Sequence, residues 1–90
     1  MGIALIKIKL MPTSPDVNLE EIKTKAEEAI KSESGENCSF EEEPIAFGLK
    51  AVIASFGLDE SKELETIENK LNEIENVNSV QVVDMRRAFG

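Results

Sequence analysis

The chain contains no histidine, tryptophan or tyrosine, and its single cysteine is Cys38. Without an imidazole there is no Ser-His-Asp or Cys-His pair and no zinc site of the Cys/His kind, and one thiol cannot form an intrachain disulfide. Any chemistry falls to carboxylates, lysines and arginines; the alternative is a function performed by surface contact without bond making. Aromatic rings are limited to 4 phenylalanines, and 10 cations face 18 carboxylates. That balance supplies neither a basic face to displace counterions from phosphates nor rings to stack on bases, so direct nucleic-acid binding is not expected. Long apolar runs are missing too. The stretch from Met1 to Met11 is interrupted by Lys7 and Lys9, is too short to span a bilayer and is followed by no small-residue cleavage site. Met1-Gly2 opens like a myristoylation signal, but Ile6 stands where that signal needs Ser or Thr. No membrane partner is expected, and a reducing cytoplasm fits best.

What is present is one small acidic domain, residues 1–90, with a net charge of −8. Surface scaling gives a chain of this mass roughly 5,000 Å² folded against about 14,000 Å² unfolded, enough burial for one modest core. Ile6, Ile8 and Leu10 alternate with Lys7 and Lys9, the period of a half-buried strand over residues 3–10. Pro12 and Pro15 stop it. Asn18 with Glu21 can form a capping box, and Leu19, Ile22, Ala26, Ala29 and Ile30 then mark one face of a helix. Glu21 with Lys25 and Glu27 with Lys31 have the favourable i, i+4 order on its exposed side.

Residues 38–43 predict an edge strand, acidic and closed by Pro44. Residues 49–56 are apolar nearly throughout, as a central strand should be. Asp59 or Ser61 can cap a second helix carrying Leu64, Ile67, Leu71 and Ile74, and residues 79–85 predict a last, valine-rich strand. A shift of 45 residues superposes Leu19-Glu20-Glu21-Ile22 on Leu64-Glu65-Thr66-Ile67, so the chain reads as two half-domains. Strand, helix, strand, strand, helix, strand is the order of an α+β, ferredoxin-like βαββαβ sandwich: a four-stranded antiparallel sheet with two helices on one face. Right-handed crossovers make the first and third strands central.

Four features could exceed scaffolding. Glu41-Glu42-Glu43 could offer carboxylates to a cation, but successive strand residues point to alternate faces, so at most two converge and a solvated edge is the better reading. Cys38 lacks an activating partner and follows the negative end of a helix, which predicts an inert thiol. Phe47-Gly48 falls in the turn between the second and third strands; Gly48 permits positive φ, and pattern alone favours Phe47 packed under the sheet over Phe47 projecting to a partner. Asp84-Met85-Arg86-Arg87 ends the last strand with adjacent cations; such a pair on an exposed tail is usually a solubility feature, and the alternative is a mobile cationic end that reaches into a partner's anionic site.

Met11-Pro12, Ser14-Pro15-Asp16-Val17 before a Leu-Glu helix, Glu42-Glu43-Pro44-Ile45-Ala46-Phe47-Gly48-Leu49 and the terminal Asp84-Met85-Arg86-Arg87 together resemble the archaeal elongation factor 1-beta family. The likeness covers nearly the whole chain, and Pro44-Ile45-Ala46-Phe47-Gly48-Leu49 is its most specific segment. It implies a guanine-nucleotide exchange domain with the split βαβ fold, which promotes GDP release from elongation factor 1-alpha, the GTPase that delivers aminoacyl-tRNA to the ribosome. It implies no enzyme, no cofactor and no metal site in the chain itself, and a monomer that binds the nucleotide-free GTPase best. A cation near the C-terminus, Arg87 with Arg86 beside it, would enter the partner's magnesium site and loosen the β-phosphate of GDP. Phe47, Gly48, Met85, Arg86 and Arg87 are accordingly the expected partner-binding residues. The connection Gly57-Leu58-Asp59-Glu60-Ser61 is shorter than the resemblance would suggest, and Ala88-Phe89-Gly90 follow the arginine pair. The competing expectation is a small-molecule-sensing regulatory or assembly module of the same fold.

Overall fold

The structure, a computed structural model, describes residues 2–89; Met1, at the head of the myristoylation-like pair, and Gly90, at the end of the arginine-bearing terminus, lie outside the described residues. Alternation shapes the first strand, β1 (Ile3–Pro12): Ile6, Ile8 and Leu10 are buried and Lys7 lies on the other side. Asn18 then starts α1 (Leu19–Ser32), its Oδ1 accepting from the amides of Glu20 at 2.9 Å and Glu21 at 3.3 Å. Lys23 pairs with Glu20 at 3.0 Å and with Glu42 of the second strand at 2.8 Å, in place of the expected Glu21–Lys25 pair, while the expected Glu27–Lys31 pair forms at 3.3 Å.

The exit of α1 is a Schellman turn. Ser34 takes φ of 73° and donates to the Lys31 carbonyl at 3.0 Å, and Gly35 donates to the Ile30 carbonyl at 2.8 Å. A Cβ on Gly35 would overlap Ile30 Cγ2 and lie 2.9 Å from the Ile30 oxygen, so the close approach, and not φ, requires glycine there.

The remaining elements are β2 (Glu36–Pro44), β3 (Lys50–Asp59), α2 (Leu64–Asn72) and β4 (Val77–Phe89). The four strands form one sheet in the order β2-β3-β1-β4, every neighbouring pair antiparallel. The expected topology holds: β1 and β3 are central, and the acidic β2 is an edge. Ile22, Ala26 and Ile30 of α1 and Ile67 and Leu71 of α2 close over Ile8, Leu10, Val52, Ala54 and Phe56 in a single core. Total accessible surface is 5542 Å², close to the value that mass alone implies.

Several boundaries differ from the sequence reading. β1 is not stopped before Pro12 but runs on to it, level with Val77 of β4, because a proline at a strand's last residue forfeits only a terminal ladder bond. β2 begins earlier, at Glu36, and β4 earlier, at Val77. β3 continues through Gly57 and Leu58 to Asp59, because a glycine without a side chain can sit buried across from Leu5. β4 continues through Arg86 and Arg87, which its exposed edge position accommodates. The arginine pair is thus part of a paired strand and not a tail. Neither Asp59 nor Ser61 caps α2: Glu63 occupies that position with no side-chain bond, while Asp59 Oδ1 accepts from the Ser61 amide at 2.8 Å and closes an Asx turn.

Candidate functional site

β2 and β3 are joined by a turn whose central residues, Phe47 and Gly48, have φ of 60° and 79°, with a 3.1 Å bond from the Leu49 amide to the Ala46 carbonyl. Both central residues at positive φ make it a type I′ turn, which matches strand twist but favours Asn-Gly. A phenylalanine held there costs about 1–3 kcal/mol of backbone strain. No burial offsets that cost: Phe47 is 95% exposed, so the packed reading is overturned. Gly48 has open space around it, since a methyl added there would meet nothing nearer than Pro15 Cβ at 3.9 Å; its positive φ is what demands glycine.

At the other end of the sheet Met85, Arg86 and Arg87 lie opposite Ile6, Leu5 and Ala4 of β1. Alternation sends them to different faces. Met85, 56% exposed, and Arg87 lie on the helix side, where with Ala4, Leu58, Glu60 and Leu64 they line a cleft of about 470 Å³. Arg87 Nε donates to Glu60 Oε2 at 2.5 Å. Arg86 lies on the face the helices leave open, with its Nε on Asp84 Oδ2 at 3.0 Å, beside a groove of about 310 Å³ shared with Leu5, Ser55 and Gly57. The two arginines therefore do not act as one cationic patch. Glu60 carries no sequence signal; only register brings it to Arg87.

The two candidate regions are also far apart. Arg86 is level with Leu5 and Val52 with Leu10, and Phe47 lies five residues beyond Val52, so at about 3.3 Å per residue they are separated by about 30 Å. The structure brings Met85 and Arg87 together and keeps both away from Phe47 and Gly48.

The remaining candidates are quiet. Glu41 and Glu43 face the open side, while Glu42 turns to α1 and Lys23, whose ammonium holds the Glu42 carboxyl below its ordinary pKa of 4.5. Among the described residues no group of three metal-ligating side chains converges. Burial pushes the half-buried Cys38 thiol up to about 11, which leaves it protonated and unreactive near neutrality. No described helix is long and apolar enough to cross a membrane.

Among the described residues the most exposed apolar ring of this ferredoxin-like sandwich sits on a strained turn, and its last strand carries two arginines, each paired with a carboxylate. The chain belongs to the EF-1 guanine nucleotide exchange domain family, whose model matches residues 5–88. It is 40% identical over 89 residues to Elongation factor 1-beta of Methanocaldococcus jannaschii, covering 98% of this chain and 100% of that protein. It is 44% identical over 89 residues to Elongation factor 1-beta of Methanothermobacter thermautotrophicus, covering 97% and 98%. The protein of the same name from Methanosarcina barkeri is 41% identical over 88 residues, covering 97% and 99%. Nucleotide exchange in translation elongation is thereby the function at its coarse level.

Proposed function

We propose that the domain accelerates GDP release from elongation factor 1-alpha, binds that GTPase best when it is nucleotide-free, and makes and breaks no covalent bond. It acts in the cytoplasm as a monomer, without cofactor or direct nucleic-acid contact. The observation that carries this reading is Phe47: a ring 95% exposed, at positive φ, in the segment most specific to the family resemblance. Strain kept at a solvent-exposed tip has no structural return within the domain, and a partner pocket that buries the ring supplies one.

The second contact is Arg87, about 30 Å away by the register estimate. A standard interface of about 800 Å² per side is itself about 30 Å across when round, so it reaches both ends only by running along the domain's 42 Å axis. Phe47 then anchors, and Arg87 brings a positive charge to the partner's magnesium and phosphate site. A second cation there weakens Mg²⁺, and GDP loses the charge holding its β-phosphate. Linkage requires nucleotide to weaken the domain by the factor by which the domain weakens nucleotide, so GTP binding dissolves the complex.

The division of labour is testable with stopped-flow release of fluorescent GDP. Arg87→Ala is expected to lower the saturating rate at least tenfold with little change in half-saturating concentration. Phe47→Ala is expected to raise the half-saturating concentration instead. Equal effects of both variants on both parameters would contradict the assignment.

A further inference from the structure

We propose that Glu60 is a positioning residue for Arg87, an inference that rests on the exchange reading and specifies how the cation is presented. Four observations carry it. The base of Glu60 is fixed: its amide donates to the Gly2 carbonyl at 3.0 Å, the Asx turn at Asp59 and Ser61 follows at once, and the Lys62 amide donates to the Asp59 carbonyl at 2.9 Å. β3 and β4 are not neighbours, yet Glu60 reaches Arg87 across β1, because the β1 residue level with Arg87 is Ala4, whose methyl leaves the cleft open.

The contact is made through Arg87 Nε, the only ion pair of Arg87 among the described residues. A guanidinium held at Nε keeps both Nη groups, with four of its five N–H donors, for a further anion. Finally, Arg86 differs in kind. Its carboxylate, Asp84, is two residues away on the same strand and moves with it, whereas Glu60 ties Arg87 to a separate segment of the domain. Glu60 thus fixes the direction of the Arg87 side chain relative to the body of the domain before the partner arrives, and the step in which Arg87 enters the partner's site loses less rotamer freedom.

The effect belongs to the step that Arg87 performs. Exposed ion pairs are weak, so Glu60→Gln should reduce the saturating rate of GDP release about 3- to 5-fold while half-saturating concentration and melting temperature stay unchanged. The decisive comparison is a double-mutant cycle in the same release assay. Glu60→Gln added to Arg87→Ala should have no further effect if Glu60 acts only through Arg87. In the free domain, the Arg87 Nε–H resonance should exchange slowly with water in the wild type and rapidly in Glu60→Gln, with that of Arg86 unmoved.

Wild-type rates in Glu60→Gln would overturn the inference, and faster release would make Glu60 a restraint instead. A further loss in the double variant would make it a partner contact in its own right, and a melting temperature that falls with the rate would make it structural. A wild-type domain that releases no GDP would overturn the exchange reading and this inference together. A loss in Glu60→Gln that disappears in the Arg87→Ala background, with an active wild type and unchanged stability, supports both.

Discussion

Phe47 is held against its own backbone preference, and that conflict sets the sign of a substitution. Asparagine tolerates left-handed φ far better than phenylalanine. Phe47→Asn should therefore stabilise the domain by about 1 kcal/mol, or roughly 4–8 °C in melting temperature for a chain of this size. The same change removes the ring and should weaken action on the partner. Thermal denaturation beside the release assay checks both, and a lower melting temperature would mean that the ring packs after all. A second residue-scale effect concerns pH. Lys23 lowers the Glu42 pKa from 4.5, chiefly through their hydrogen bond, so the stabilisation is complete above pH 4.5 and disappears as pH falls through the lower folded value. Lys23 is raised from 10.5 by the Glu42 and Glu20 hydrogen bonds, so its share is complete below pH 10.5 and lost above the raised value. The difference in melting temperature between wild type and Glu42→Gln should accordingly be constant from about pH 5 to 10 and shrink in acid.

Elements were legible where burial imposes a period. The Ile6, Ile8, Leu10 alternation and the Ile22, Ala26, Ile30 and Ile67, Leu71 stripes announced β1, α1 and α2, and the handedness of crossovers ordered the sheet. The Asn18 start of α1 and the Pro44 end of β2 were legible as well, but other element ends were not, for identifiable reasons. Gly57 has no side chain to show a period, and charged residues such as Arg86 and Arg87 suit an exposed edge strand as well as a tail. The turn sequence Phe47-Gly48 was found, but whether a phenylalanine packs or projects depends on its φ, which pattern does not encode. Glu60 could not be found at all, because its partner is 27 residues away across an intervening strand. The Schellman exit of α1 was likewise hidden, since its positive φ falls on Ser34 and the glycine is needed for space. Gly35→Ala should cost about 1–3 kcal/mol through overlap with Ile30, measurable by urea denaturation with an unchanged m value.

At the scale of the molecule, a body 42 Å long carries a net charge of −8 and places the Phe47 turn and the Arg87 strand end, the two proposed contacts, toward opposite ends of the sheet. A missing histidine and a Cys38 thiol kept protonated by burial fit the proposed remodelling of a partner's metal and phosphate contacts. The clamped arginines stand out against that acidic background, each already directed by a carboxylate to its own face. Release of fluorescent GDP from elongation factor 1-alpha, followed with increasing amounts of this domain, tests the central claim most directly. The account predicts release that accelerates and saturates with the domain, and a complex that dissolves on addition of GTP. Release at the intrinsic rate, whatever the amount of domain added, would contradict it.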